Sequence, residues 1–428
     1  MLSKEHNELV TRTGPDTACG KLFRQYWQPI AMLSDIPADA PLPVRALHEE
    51  FVLFRDEQGR IGLLDLHCAH RGADLSYGRL ENGGLRCVYH GWLYDVAGKC
   101  LQQPAEPPGK EFCHMIRQRS YPLRVLGGMI FAYLGAGEPP AFPEWECLTA
   151  PDTHRFVVRS RERCNWLQGL EGDIDPYHLS YLHLALPGAR KQLSGGNAGP
   201  YYEFFRFGVP RMEVERTDYG VRIYALRDLR NEAYLRISNF VCPNVAIVAG
   251  SSDGDGYMAL WHVPIDDEHH FKYQLIFKRE KEIDLAAERH QAVMQWDPRQ
   301  PERLPERNRE NRWLQDREKM KDGWYAGLGH SFGLHDNWAT EAMGPIYDRS
   351  QEHLGHGDRA VVAARRTLIA AMEEMAAGKA PPFRLGDAQA MKAKLTEIVV
   401  ASLISPDKDN YREVFYQQHL AAAKAAAE

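Results

Sequence analysis

Cys68-Ala69-His70-Arg71-Gly72 and Cys87-Val88-Tyr89-His90-Gly91-Trp92, with sixteen residues between His70 and Cys87, each present one thiolate and one imidazole on a short loop. Both loops fall at strand ends. From Val44 to Leu134 the chain reads as short strands broken by Gly- and Asp-containing turns: Phe51–Arg55, Ile61–Leu64, Leu85–Val88, Trp92–Asp95 and Met129–Leu134. Two Cys and two His suit tetrahedral zinc, but finger-type zinc sites pair Cys with Cys and His with His along the chain. One of each per loop suits a two-iron, two-sulfur cluster instead, with the Cys pair on one iron and the His pair on the other, so that each loop clamps both metals. Neutral imidazoles in place of two thiolates also raise the cluster's potential. Zinc stands as the competing reading.

Outward from these loops, Pro139-Pro140, Pro143 and Pro151 break the strand pattern and mark a boundary. The expected organisation is an N-terminal helical arm at 1–40, an all-β unit at 41–150 and a second unit at 151–428. The second unit opens with a strand at Phe156–Arg159 and a helix around Pro176–Leu184. Strand-like segments come next at Tyr202–Phe207, Met212–Arg216, Val221–Leu226, Tyr234–Phe240, Val245–Val248, Tyr257–Val263 and Phe271–Phe277. Tight turns such as Thr217-Asp218-Tyr219-Gly220 favour an antiparallel meander covered by helices, an α+β fold. A charged covering segment with a helix at Ile283–Trp296, a helix from Asp358 to Ala377 stopped at Gly378, and an Ala-rich end at Leu420–Glu428 complete the chain.

A second constellation opens the second unit. Asp175-Pro176-Tyr177-His178-Leu179-Ser180-Tyr181-Leu182-His183 has the spacing Asp-x2-His-x4-His. His178 and His183 stand about 140° apart on an ideal helix, so both can serve one site only through a distorted turn. Taken alone, two histidines among Tyr and Leu are also what a core helix would carry. Beside an electron-transfer cluster they read as half of a 2-His-1-carboxylate iron triad, which leaves three metal positions open. The third ligand is expected downstream at Asp336, with Glu341, Asp348 and Asp358 as the acids it must be told from.

Composition narrows the class. The 428 residues are 44% hydrophobic and 26% charged, which excludes disorder, collagen and coiled coil. Lys plus Arg is 52 and Asp plus Glu is 58, a net charge of 52 − 58 = −6, so neither nucleic acid nor an anionic membrane is expected as a partner. The charged start, Met1 to Asn7, is unlike a signal peptide, and the apolar run Val125 to Gly135 is too short to span a bilayer; the expected place is the cytoplasm. Eight cysteines in a chain this long suggest reduced or metal-bound thiols rather than a disulfide framework. Gly327-Leu328-Gly329-His330-Ser331-Phe332-Gly333 misses the dinucleotide spacing, and no Cys-x4-Cys-x2-Cys run is present.

Taken together, these residues resemble the oxygenase component of Rieske non-haem iron oxygenases, in the phthalate dioxygenase-like branch. The resemblance rests on the two Cys/His loops, Asn165-Trp166-Leu167-Gln168-Gly169-Leu170-Glu171-Gly172, the Asp175/His178/His183 spacing, and Glu341 to Ser350 with Glu352-His353-Leu354. It implies that Cys68, His70, Cys87 and His90 hold a Rieske 2Fe-2S cluster and that His178, His183 and Asp336 hold a mononuclear Fe(II). It implies an N-terminal Rieske domain and a catalytic domain of helix-grip, START-like type. Asp175 is implied as the catalytic carboxylate that links a neighbour's His90 to His178 in a head-to-tail homotrimer, alone or as a hexamer of two trimers. Electrons from NADH are expected through a separate reductase carrying flavin and iron–sulfur, with dioxygen as co-substrate. The branch holds ring dioxygenases of aromatic acids and O-demethylases of methoxylated, lignin-derived acids, such as dehydrodivanillate O-demethylase. The expected activity is therefore hydroxylation of an aromatic carboxylate, with O-demethylation as the alternative and a non-catalytic electron carrier as the remote one. Arg206, Arg227 and Arg236, on strands expected around the pocket, are the candidate carboxylate clamps. Asp173 and Pro176-Tyr177 depart from the small residues more usual in the branch, so the surroundings of the iron are expected to differ there.

Overall fold

Asn82 and Gly83 both have positive φ (53° and 75°) and close a two-residue turn between the strands Arg79–Glu81 and Gly84–Arg86. Asn-Gly adopts this turn at least cost, and its twist matches that of the strands. The computed structural model describes residues 1–189, 208–229, 232–249, 255–286, 288, 294–405, 409–415 and 417. They form two compact units: Arg24–Pro139, and Met1–Phe23 with Pro140–Glu428.

The Arg24–Pro139 unit is built of short antiparallel sheets. One orders Leu42–Ala46, Glu49–Arg55 and Ile61–Asp65; another runs Arg79–Glu81, Gly84–Arg86, Leu93–Tyr94 and Cys100–Gln102; a third joins Trp27–Met32, Met129–Tyr133 and Leu123–Leu126. Alternation decides which side chains go inside: Leu42, Val44 and Ala46 are buried while Pro43 and Arg45 are exposed. Val52, Phe54, Leu64, Leu75, Leu85, Trp92 and Tyr94 pack into one core, and Cys68 and Cys87 belong to it.

In the other unit an antiparallel sheet runs in the order Arg155–Glu162, His270–Phe277, Tyr257–Pro264, Val245–Val248, Glu232–Val241, Gly220–Leu229 and Arg211–Arg216, with Ala401–Ser405 also paired to Glu232–Val241. The meander is the expected one; Tyr202–Phe207 and Leu420–Glu428 lie outside the described residues, as do 287 and 289–293 within the expected helix Ile283–Trp296. The helix Trp166–Ile174 lies against the middle strands and against a second helix, Phe332–Glu341. Asn165 caps its start by accepting from Leu167 N at 3.2 Å. Trp166 is fully buried with Phe23 edge-on at 4.8 Å, a geometry worth about 0.5–1.5 kcal/mol beyond burial.

The expected helix at Pro176–Leu184 is not formed. The helix precedes it and ends at Ile174, because the proline ring at 176 drives Asp175 into extended backbone (φ −85°, ψ 116°). Beyond the proline the chain makes one tight turn, His178–Ser180. The expected helix after Asp358 spans Arg359–Ala376 and stops before Gly378, whose φ is 79°. It packs on Arg211–Arg216 and Gly220–Leu229. Val361, Leu368 and Met372 are buried as the apolar stripe requires, and so is Arg365. Its guanidinium meets Glu171 at 2.6 Å and Glu352 at 2.7 Å, and Arg349 meets Glu171 at 2.9 Å. Removing one partner of such a buried set typically costs about 3–5 kcal/mol. No described helix is long and apolar enough to cross a membrane.

Candidate metal centres

The two Cys/His loops are folded alike. Gly72 N donates to Cys68 O (2.8 Å) and Cys68 N to Ala73 O (2.8 Å); Gly91 N donates to Cys87 O and Cys87 N to Trp92 O (both 2.9 Å). Each thiol is thus held at the base of a closed backbone turn, 3% exposed. Gln118, buried behind the first loop, accepts from Ala69 N at 2.8 Å and donates to Asp65 O (2.9 Å) and His67 O (2.8 Å). Cys68 and Cys87 face each other, and Tyr94 Oη stands 3.2 Å from Cys68 Sγ. Burial pushes the Cys68 thiol up, and the Tyr94 hydroxyl offsets part of this. The His70 and His90 rings meet edge to face at 4.4 Å, and His70 stacks on Trp92 at 4.3 Å.

The four donors therefore form a thiol pair and an imidazole pair. His90 Nδ1 is buried and has no hydrogen-bond partner among the described residues, the state of a nitrogen awaiting a metal. Zinc would draw four donors around one point. Two separate pairs suit two metal atoms, one with sulfur and one with nitrogen ligands.

His178, His183 and Asp336 each offer a ligand atom within 4.8 Å of the others. Asp336 Oδ1 lies 2.9 Å from His183 Nε2 and 3.6 Å from His178 Nε2. The tight turn at His178–Ser180, with Leu182 N donating to His178 O (2.8 Å), brings the two imidazoles onto one site although they are five residues apart. Asp175, freed from the helix by Pro176, accepts from Tyr177 N (2.8 Å) and His178 N (3.3 Å), and its Oδ2 is 3.5 Å from His178 Nδ1. The other three acids are occupied elsewhere: Glu341 accepts from Arg163 N, Asp348 from Ser350 N and Asp358 from Gly355 N.

Burial alone would favour neutral His178, but the Asp175 and Asp336 carboxylates outweigh it and raise its pKa. Burial prevails at His183 and lowers its pKa. Asp336 is held well below the usual carboxylate range: burial opposes this, and His183, Lys272 and His178 overcome it. Two imidazoles and an ionised carboxylate converging in a buried, acid-rich site are a fitting donor set for a divalent iron.

One contributor had no signal in the spacing. His335 Nδ1 is 3.2 Å from His183 Nδ1, and His335 Nε2 is 3.0 Å from Gly329 O. A carbonyl only accepts, so His335 carries its proton on Nε2 and offers a bare Nδ1 to the N–H of His183. That leaves His183 Nε2 bare toward Asp336 and any metal, the tautomer a ligand requires. Burial, reinforced by His183, pushes the His335 pKa down to about 4, so this chain of protons holds at neutral pH.

Of the candidate clamps, Arg206 lies outside the described residues. Arg227 and Arg236 are buried and project from one face of adjacent strands. Arg227 Nη2 donates to Pro176 O (3.1 Å) and Ser180 Oγ (3.3 Å), bracing the turn that carries His178. Arg236 Nη2 donates to Ala249 O (2.7 Å), and its charge disfavours protonation of His183.

Comparison with known proteins adds to this geometry. Residues 26–122 match the family model of the Rieske [2Fe-2S] domain, and residues 132–427 match that of the LigXa C-terminal domain like family. The phthalate 4,5-dioxygenase oxygenase subunit of Pseudomonas putida is 36% identical over 92% of this chain and 93% of its own. The 5,5'-dehydrodivanillate O-demethylase oxygenase subunit of a Sphingobium species is 33% identical over 92% of this chain and 86% of its own. Among solved structures, the terminal oxygenase of carbazole 1,9a-dioxygenase from Nocardioides aromaticivorans superposes with a TM-score of 0.56 at 22% identity, covering 84% of this chain and 95% of that one.

Proposed function

The chain belongs to the Rieske oxygenase family, as an oxygenase subunit with a LigXa-like C-terminal domain, and on that premise we propose that it hydroxylates an aromatic carboxylate using dioxygen and electrons from a separate protein. Cys68 and Cys87 would hold one iron of a 2Fe-2S cluster, His70 and His90 the other, and His178, His183 and Asp336 a mononuclear iron. When bound, the cluster would supply single electrons and the mononuclear iron the redox chemistry that activates dioxygen.

The protein's own part is to orient and to hold protons. Asp175 fixes the turn by accepting from the backbone N–H groups of Tyr177 and His178 and turns a carboxylate oxygen toward His178 Nδ1. His335 fixes the His183 tautomer. Arg227 steadies the turn between them. Arg236, or Arg206, is the cation best suited to receive a substrate carboxylate. A head-to-tail trimer, alone or stacked as a hexamer, would bring His90 of the partner subunit toward Asp175, and a flavin and iron–sulfur reductase would supply electrons from NADH.

The observation that carries this reading is the convergence of His178, His183 and Asp336, with His183 and Asp336 153 positions apart. A single-turnover reaction of the reduced protein with oxygen and a panel of phthalate-like and methoxylated aromatic acids tests it. A diol without formaldehyde is the expected product; formaldehyde from a methoxylated acid would establish O-demethylation instead, and no product from either class would overturn the aromatic-acid assignment.

A further inference from the structure

Beneath the mononuclear site, three neighbouring strands place four polar side chains on one face of the sheet. Glu162 stands opposite His270 in the register, and His262 opposite Lys272. The helix Trp166–Ile174 covers them and adds Asp173. All five side chains are at most 7% exposed. Asp173 Oδ2 is 2.8 Å from His262 Nε2, and its Oδ1 accepts from Lys272 Nζ at 2.7 Å. His262 Nδ1 faces His270 Nε2 at 3.1 Å; His270 Nε2 is also 3.2 Å from Glu162 Oε2, and His270 Nδ1 is 2.9 Å from Cys164 O.

Counting donors decides the protons. Cys164 O only accepts, so His270 Nδ1 carries a hydrogen. Asp173, which pairs with Lys272 Nζ through Oδ1, offers only an acceptor at Oδ2 and likewise requires a hydrogen on His262 Nε2. If both rings were neutral, the inner nitrogens would meet lone pair to lone pair at 3.1 Å in a fully buried site. One further proton turns that repulsion into an N–H···N hydrogen bond and makes one ring an imidazolium. Glu162 beside His270 Nε2 favours His270 as its carrier, and burial lowers the pKa of His262 in agreement. The charges then close: Asp173 and Glu162 are negative, Lys272 and the imidazolium positive. Glu162, Cys164 and His270 also converge within 4.8 Å, but both His270 nitrogens are already committed, so the cluster holds a proton rather than a metal.

The contact is sealed by the helix. A Cβ at Gly169 would stand 2.6 Å from both His262 Nδ1 and His270 Nε2, so only glycine lets the helix backbone lie on the pair. The cluster also reaches both segments that carry the proposed iron ligands. Asp173 precedes Asp175 by two residues, and the Asn337 carboxamide, oriented with its nitrogen toward Glu162, donates to Oε1 at 3.0 Å from the position next to Asp336.

We propose that His262 and His270 share one buried proton, and that this charge-balanced cluster of Asp173, Lys272, His262, His270 and Glu162 positions the Asp175–His178 segment and the Asp336 helix for iron. The residues are positioning residues, and the second half of the proposal rests on the function proposed above. Neutron diffraction from crystals of the deuterated holoenzyme near neutral pD tests the first half. Deuterium is expected on His262 Nε2, on His270 Nδ1 and between the two inner nitrogens; bare inner nitrogens would overturn it, whatever the iron content.

For the second half, Asp173→Asn, Lys272→Met and the double variant are compared for Fe(II) affinity at the mononuclear site, with the circular dichroism spectrum and thermal unfolding of the holoenzyme as the measure of intact fold. Each single variant leaves an unmatched buried charge and should weaken Fe(II) binding about 10–100-fold. The double variant restores balance and should return to within about threefold of the parent. Additive losses in the double variant, or unchanged affinity in both singles, would overturn the positioning role. A parent protein that binds no mononuclear iron would instead sink the proposed function and leave the shared proton standing.

Discussion

The two proposed metal centres differ in how their candidate donors are brought together. All four cluster donors lie between positions 68 and 90 on loops closed by their own backbone hydrogen bonds. The mononuclear donors come from one turn after the helix Trp166–Ile174 and from a helix more than 150 positions later, joined only through packing and buried polar contacts. A local site depends on turn geometry and survives changes elsewhere. A distributed site inherits every error in the packing of its helices and sheet, so neighbours such as His335, Arg227 and the His262–His270 pair matter more to it than Gln118 and Tyr94 do to the loops, which their own backbone already closes.

The largest effect expected from this contrast is at the loops. Cys87→Ser should abolish the cluster, seen as complete loss of its visible absorbance, while Fe(II) still binds at His178, His183 and Asp336; loss of both metals together would mean the two sites are not independent. Asp336→Ala should give the mirror image, with the cluster spectrum unchanged and the iron content reduced to the two cluster atoms. A third iron retained in that variant would move the ligand role to another acid.

Next in size is the neighbour. His335→Phe removes the acceptor for the His183 N–H and should weaken Fe(II) binding about 10–100-fold, with His335→Gln, whose amide oxygen can accept, recovering much of it. Smaller still is Arg227→Met. As a brace on Pro176 O and Ser180 Oγ it should lower kcat about tenfold with KM little changed, whereas a substrate clamp would chiefly raise KM.

The smallest effect is in the pH dependence of stability. Burial alone would raise the Glu162 pKa, but His270 and Lys272 outweigh it and hold the carboxyl down to about 2, against an ordinary value of 4.5. A depressed folded-state pKa means stability that is present above pH 4.5 and lost as pH falls toward 2. Acid unfolding of the parent should steepen in that window, and Glu162→Gln should flatten it; identical acid limbs would show that the carboxylate is not so held.

Much of this is legible in the residues. The strand pattern of both units comes from alternation and turn chemistry, and Thr217-Asp218-Tyr219-Gly220, between the paired strands Arg211–Arg216 and Gly220–Leu229, is the clearest case. The helix lies before Pro176 rather than after it: the proline forces Asp175 out of the helical region and ends Trp166–Ile174, and beyond it the chain makes only the single turn His178–Ser180. His335 and the cluster around His262 and His270 carry no spacing signal, since their partners lie on other strands and helices. Asp173 does stand out as a departure, yet its meaning needs Lys272 and His262, 99 and 89 positions away.

The sequence by itself determined which chemistry the chain can hold. The choice of Cys and His, one of each per loop, and the close pairing of His178 with His183 are properties of residue type and short spacing, and metal coordination depends first on these. Only the tertiary structure decided which acid, among Asp336, Glu341, Asp348 and Asp358, meets the two imidazoles, which tautomer His183 adopts, and where a buried proton must sit. Those outcomes come from burial, where each polar group must find a partner among whatever the packed strands and helices bring within about 3 Å, and no local pattern in the chain records that choice.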